Sequence, residues 1–455
     1  MSDDRNIDFV LRTVEKRNIR FIRLWFTDML GTLKSFAISA EDLEEAFEEG
    51  IGFDGSSVDG FVPLEESDML AFPDASTFQI LPGNSSEGPS ARIICDIATP
   101  RREPFEGDPR TCLKTLFENL DEKGYVANIG PRIEYFYFAS DGSARPNQAR
   151  PLDYAGYFDL TSFDSSSDLR RDTTMMLERM SVPVEYNFHS SAPSQNAVEL
   201  RFTEALTAAD NIITARYVIR SMAQENGVLA SFMPRPMSEY PGSGMFLYHS
   251  LFDLEGNNVF WGPRDGDSDA PHAHFSELGC QYMAGLLKYA PEYTLICNPT
   301  INSYKRLVPS GDAPAYATWG FKNRNALVRV PLHKPGKHQS ARCELRSPDP
   351  SANPYLAIAA TLAAGMRGIE EGLVLPSEVN AEILAKGPAE LARLGVASLP
   401  RTLGEALDVF EKSELMREVL GDHIVSYMLE AKHKEWDEYC SAVTDWERDR
   451  YYAGI

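Results

Sequence analysis

The stretch Arg342-Cys-Glu344-Leu-Arg346-Ser-Pro-Asp-Pro350 sets three ionic side chains at alternate positions just before a Pro-rich turn. Successive side chains of a β-strand point to opposite faces, so a strand over residues 341–346 places Arg342, Glu344 and Arg346 on one face. Two further arginine-bearing stretches lie upstream: Asn302-Ser-Tyr-Lys-Arg306-Leu-Val-Pro309 and Asn323-Arg324-Asn-Ala-Leu-Val-Arg329-Val-Pro331. Arg324 and Arg329 are five residues apart, so a regular strand would send them to opposite faces unless Arg324 lies in the preceding loop. The full chain has 44 basic and 67 acidic residues and a formal charge of −23. Against that background, arginines gathered on one sheet face indicate an anion pocket, because the guanidinium fork suits carboxylate and phosphate. The alternative is a set of ion pairs with neighbouring acids.

The 455 residues suggest two or three domains. Apolar residues at 43% and charged residues at 24% fit an ordinary globular protein. The acidic balance argues against nucleic acid as the main partner, since phosphate contacts need a basic face. No apolar run reaches the ~20 residues of a membrane span. The start, Met-Ser-Asp-Asp-Arg-Asn, has no apolar signal core, and a cytoplasmic location is expected. Cys95, Cys112, Cys280, Cys297, Cys343 and Cys440 are scattered and read as free thiols. His272 and His274 are close, but no further zinc ligands accompany them, so a polar loop is the better reading.

Residues 19–26 and 33–38 alternate around the turn Thr27-Asp-Met-Leu-Gly31 and predict a hairpin. Residues 40–49 have helical spacing with Gly50 as a stop, and residues 77–81 and 91–97 read as strands. A Pro-rich joint at 99–109 then divides the chain into domains 1–108 and 109–455. Beyond it, helices are expected near 109–123, 169–180, 207–226, 275–288, 354–371 and 414–440. Strands are expected at 125–130, 132–138, 182–188, 197–202, 230–232, 244–252, 325–330 and 341–346. The fold class is α+β with a mostly antiparallel sheet.

Several of these stretches carry a family resemblance. Phe53-Asp-Gly-Ser-Ser-Val58, the two upstream arginine stretches, Glu344-Leu-Arg346 through Asn353-Pro-Tyr355, Arg20-Phe-Ile-Arg-Leu-Trp-Phe-Thr-Asp28, Phe232-Met-Pro-Arg-Pro236 and Pro241-Gly-Ser-Gly-Met245 follow in order. Together they resemble type I glutamine synthetase from about residue 8 to the C-terminus, nearest to the actinobacterial branch that includes γ-glutamylpolyamine synthetases. The resemblance implies a β-grasp N-terminal domain and a larger catalytic domain with a curved, mostly antiparallel sheet. It also implies a homo-oligomer, a dodecamer of two stacked rings, with active sites shared between subunits. ATP phosphorylates the γ-carboxylate of glutamate in that family, and ammonia or an amine displaces phosphate. Asp54, Asp312 of a closing flap and Arg324 match catalytic positions. Ser57, Ser250, Arg306, Arg329 and Arg346 match substrate- or nucleotide-binding positions.

Phosphoryl transfer rests on positioning and charge neutralisation, which the family supplies with two divalent metals held by five glutamates and a histidine. Here Gly130-Pro-Arg132-Ile-Glu134 has Arg132 at the first glutamate position and keeps Glu134. His189-Ser190-Ser-Ala-Pro-Ser-Gln195-Asn-Ala197 has Ser190 and Ala197 at two more. Glu199, two residues past Ala197, is a recoverable ligand only if the alignment slips there. Gly242-Ser-Gly-Met-Phe246-Leu-Tyr248 has Phe246 in place of the metal histidine and Tyr248 in place of a second histidine. Glu344 is kept, so four of six metal positions are lost. Mg²⁺ or Mn²⁺ binding is expected to be weak or absent, while ATP is still admitted as a ligand. Arg132 is expected beside Glu134 or Glu344, with Phe246 and Tyr248 plugging the metal space. This reads as a pseudoenzyme with a regulatory or structural role in nitrogen or amine metabolism, a ring partner of an active paralogue being one form of that role. The alternatives are an active ATP-dependent γ-glutamyl ligase with altered metal use, and a repurposed enzyme.

Overall fold

The computed structural model describes residues 2–61, 67–81, 88–140, 150–160, 164–262, 275–309, 313–321, 323–331, 337–379, 388–452 and 454. Asp312, His272 and His274 lie outside the described residues.

The expected hairpin forms. Strands β1 (Phe21–Thr27) and β2 (Leu33–Ser39) pair antiparallel, with Thr27 opposite Leu33. The turn needs Gly31, whose φ is +85°, and a Cβ there would come within 3.0 Å of the Asn353 backbone. Asn353 donates its side-chain amide to the carbonyls of Asp28 and Met29 at 3.1 and 3.2 Å, so this turn docks the small sheet on the rest of the chain. β3 (Ile51–Asp54), β4 (Asp68–Pro73), β5 (Gln79–Ile80) and β6 (Ser90–Ala98) complete a six-stranded sheet ordered β2-β1-β6-β4-β3, with β5 on β6. β1 and β6 run parallel. Two features depart from the sequence reading. A helix spans Ser2–Arg17, and the predicted strand 77–81 keeps only β5, after a short 3₁₀ turn at Ala75–Thr77.

The second sheet has nine strands. β7 (Tyr125–Ala139) is one unbroken strand where two were expected, because Pro131 sits within it without ending it. β8 (Val184–His189), β9 (Gln195–Leu200), β10 (Thr203–Glu204), β11 (Val228–Ser231), β12 (Met245–Asp253), β13 (Trp319–Gly320), β14 (Val328–Arg329) and β15 (Cys343–Leu345) follow. The order is β13-β14-β15-β12-β7-β9-β8, with β10 and β11 also on β7, and only β13 and β14 pair parallel. The expected strand 325–330 shrinks to β14, which leaves Arg324 in the turn before it.

Alternation along β7 splits its side chains between two environments. Ile129, Ile133, Tyr135 and Tyr137 enter the main core. Gly130, Arg132 and Glu134 take the other face, by period two. The core face is covered by helices Ala205–Glu225 and Pro109–Glu122, and behind them packs helix Pro354–Glu370, which starts with Pro354 behind an Asn353 cap. Helix Glu277–Lys288 packs against it where Gly285 meets Gly368, and a Cβ on Gly285 would fall 2.2 Å from the Ala364 carbonyl oxygen. Further helices at Ala290–Cys297, Ile301–Arg306, Leu403–Phe410 and Asp445–Tyr451 were not read from the sequence. Among the described residues, no helix is long and apolar enough to cross a membrane. None of the six cysteines forms a disulfide.

Candidate functional site

Strand register brings the ionic residues into one field. Arg132 on β7 lies opposite Phe246 on β12 and opposite Glu199 on β9. Tyr248 on β12 lies opposite Glu344 on β15, and Glu344 lies opposite Arg329 on β14. The face opens on a cleft of about 570 Å³. Arg132, Arg235, Arg306, Arg324, Arg329 and Arg346 line it, against Glu134 and Glu239. Arg324 reaches the cleft from its turn and Arg329 from its strand, which resolves the spacing question.

Arg132 donates through Nε to Glu199 Oε2 at 2.6 Å and through Nη2 to the Tyr186 hydroxyl at 3.1 Å. Tyr186 donates to the same Glu199 oxygen at 2.7 Å. This corrects the sequence expectation, which gave Arg132 to Glu134 or Glu344. Antiparallel pairing sets Arg132 and Glu199 directly across from each other, where opposite charges attract. Around the guanidinium stand Phe188, Phe246 and Tyr248, with ring centres at 5.6–5.7 Å. Burial disfavours the charged guanidinium, but Tyr248, Glu199 and Glu344 outweigh it and hold its pKa up. Burial, partly offset by Arg132, leaves the Tyr186 phenol pushed up to about 12. Phe246 and Tyr248 are buried, yet the cleft beside them stays open rather than plugged.

The two retained glutamates are held differently. Glu134 accepts the Ser190 hydroxyl at 3.0 Å and the Gly244 amide at 2.8 Å. Gly244 can approach because it has no Cβ, which would fall 2.6 Å from Arg306 Nη2. Glu344 is fully buried and accepts Arg346 Nη1 at 2.6 Å and Arg329 Nη1 at 2.5 Å. Arg346 stacks over Phe246 at 4.5 Å, and Arg342 sits over Phe202 and Tyr248 on the same face. Arg306 is buried and donates to the carbonyls of Ser347 and Arg346 at 2.7 and 2.9 Å.

Other expected site residues fall elsewhere. Ala197 is buried opposite Glu134. Ser250 is buried, and its hydroxyl donates to the Ala341 carbonyl at 2.7 Å, so it works as a sheet fastener outside the cleft lining. Asp54 and Ser57 are exposed at the end of the small sheet and do not line the cleft of their own chain. Asp54 accepts the Ser56 amide at 2.9 Å and hydroxyl at 2.6 Å, and these bonds lower its pKa.

Tyr157, Tyr186, Arg235 and Glu239 line the cleft and Glu199 stands behind it on Arg132; the first four were not picked out from the sequence, and Glu199 was named only as a ligand that a slipped alignment would recover. Glu199 had a readable signal, since it alternates with Ala197 and so shares the face of Arg132. A second ionic group went unread. Asp153, Asp164 and His189 offer ligand atoms within 4.8 Å of one another, all buried. Their own partners close this group: His189 Nε2 lies 3.0 Å from Asp153, and Arg170 forms a forked pair with Asp164. It pins the segment around residue 153 to the end of β8.

Comparison with known proteins agrees with the fold. The family model described as the glutamine synthetase catalytic domain matches residues 106–451, and that of the glutamine synthetase beta-grasp domain matches residues 18–100. The chain is 46% identical to a protein named glutamine synthetase from Mycobacterium tuberculosis, over 98% of this chain and 99% of that one. It is 44% identical to one so named from Methanosarcina mazei, over 97% and 96% of the two chains. Among solved structures, one described as a GmaS/ADP complex superposes with TM-score 0.86 at 28% identity, covering 97% of this chain and 99% of that chain. Apo GmaS without ligand superposes with TM-score 0.84 at the same identity and coverage.

Proposed function

The chain belongs to the glutamine synthetase family, and from its cleft we propose that it is a member without two-metal phosphoryl transfer, serving a regulatory or structural role in nitrogen or amine metabolism. The observation that carries this reading is the Arg132–Glu199 pair, set among Phe188, Phe246 and Tyr248 on the face where the family gathers metal ligands. Hard dications want several free oxygen ligands. Here both Glu344 oxygens face guanidinium groups, and both Glu134 oxygens accept hydrogen bonds from neutral donors. Ser190, Ala197 and Phe246 add no carboxylate or imidazole. These residues do not fit two divalent cations, so no phosphoryl-transfer step is derived through them.

A second reading rests on the length-wide identity to proteins named glutamine synthetase. The chain would then be an ATP-dependent γ-glutamyl ligase with one cation on Glu134 and Glu344, the latter freed from its arginines, and Arg132 acting as the other positive charge. Arg306, Arg324, Arg329 and Arg346 would bind substrate and nucleotide, and Asp54 would come from a neighbouring subunit. In either reading we place the division between domains at residues 108 and 109 and take the chain to form rings. The exposed Asp54 loop supports this assembly.

The test is bound metal per subunit after equilibration with excess Mg²⁺ or Mn²⁺, read beside ADP release with glutamate and ammonia or an amine. Substoichiometric metal and no glutamate-dependent ADP release are expected. Two metals per subunit with amine-dependent ADP release would establish the second reading instead.

A further inference from the structure

We propose that the cleft binds a multiply charged oxyanion without any metal ion, and that divalent cations weaken this binding. The inference rests on the reading that the cleft does not load two dications.

Among the described residues, six arginines and two glutamates line the cleft. The acids behind its wall do not cancel them. Glu199 balances Arg132, but the single Glu344 carboxylate is shared by Arg329 and Arg346, which leaves one positive charge over. Arg324 sits with its guanidinium carbon 5.9 Å from the centre of the Tyr157 ring, and it has no carboxylate partner among the described residues. Arg346, only 7% exposed, buries its Nε without an acceptor. Buried donors are normally satisfied, so this one marks a guanidinium that Glu344 does not saturate.

The substitutions themselves give the scale. Measured against the ligand pattern that the family resemblance implies, Arg132, Ser190 and Ala197 stand at three glutamate positions, so three glutamates are absent and one arginine is added. The cleft is therefore more positive by four charges, which is the charge of two divalent cations. Fixed guanidinium groups supply what bound metal would otherwise bring. An anion already carrying Mg²⁺ has less charge to offer and meets a site that repels the ion. Metal dependence is thus inverted. Phosphate and carboxylate ligands share this chemistry, so the probes must separate them.

The experiment is calorimetric titration of the full chain with pyrophosphate, ADP and citrate, in EDTA and then in excess Mg²⁺ at matched ionic strength. At least one probe is expected to bind in EDTA, and Mg²⁺ is expected to weaken it by about fivefold or more. Pyrophosphate and ADP binding assigns a phosphate ligand; citrate binding alone assigns a carboxylate. Arg324→Gln is expected to cost about tenfold or more in affinity with an unchanged melting temperature. No binding in EDTA, stronger binding with Mg²⁺, or indifference to Arg324→Gln overturns the proposal. Silent titrations without ADP release would remove this inference and leave the functional reading intact. Glutamate-dependent ADP release on two bound metals would remove the functional reading itself.

Discussion

Arginine plays opposite parts at the domain junction and in the cleft. At the junction one arginine serves three aspartates. Arg110, 3% exposed, holds Asp210 at 3.0 Å, Asp74 at 2.7 Å and Asp96. These acids come from different elements, and Tyr355 adds a 2.6 Å bond to Asp210, so the knot joins the small sheet to helices of the large domain. In the cleft the ratio reverses, and two arginines share Glu344. A guanidinium surrounded by carboxylates has no capacity left and acts as a rivet. A guanidinium with too few carboxylates is left able to take an anion. Residue type alone does not separate the two cases; the count of opposite charges around each one does.

Breaking the rivet should have the largest effect. Arg110→Ala strips Asp74 and Asp210 of their ion-pair partner, leaves Asp96 to Lys114 alone, and should cost about 3–5 kcal/mol, measured by denaturant unfolding. A loss below about 1 kcal/mol would erase the contrast.

Arg132→Glu is the matching change in the cleft. It sets a third carboxylate beside Glu199 and Glu134 and should cost about 3 kcal/mol in metal-free buffer. The cost should be smaller than for Arg110→Ala, because the Arg132 side chain keeps more contact with solvent, 16% against 3%. A melting temperature that rises in metal-free buffer would show that Arg132 does not neutralise the cleft.

The smallest effect concerns pH. Burial, with the nearby Asp96 charge adding to it, has the Asp108 carboxyl pushed up to about 6. A carboxyl whose folded pKa is raised binds its proton more tightly in the folded state. Its contribution is therefore greatest below about pH 4, the unfolded value, and falls as pH rises through 6. Asp108→Asn should flatten this part of the stability profile by about 2 kcal/mol between those limits. Parallel profiles for the two proteins would mean that Asp108 is already ionised in the fold.

Much of this architecture was legible because local rules decide it. The hairpin, the alternating ionic strand at 342–346 and the capped helices Pro109–Glu122 and Pro354–Glu370 follow from period and end signals. Helix Ser2–Arg17 carried a readable stripe, Ile7, Val10, Leu11 and Val14 at helical spacing, but it was passed over among the charged residues that make up half of the segment; Val10 and Val14 are buried in the small core and Ile7 and Leu11 pack against it. Helix Ala290–Cys297 escaped for the opposite reason, being apolar on nearly every side and so without a stripe to read.

By itself, the sequence determined which chemical groups the chain owns: arginines at 132, 306, 324, 329 and 346, glutamates at 134 and 344, and no carboxylate at 190 or 197. Only the tertiary structure decided how they pair. Arg132 meets Glu199 because two antiparallel strands bring together residues 67 apart in sequence. Arg324 enters the cleft because its strand starts late, and Ser250, outside the cleft lining, spends its hydroxyl on the Ala341 carbonyl. Charge is carried by each residue, but neutralisation depends on distance, and long-range distances are set by the register of the sheet.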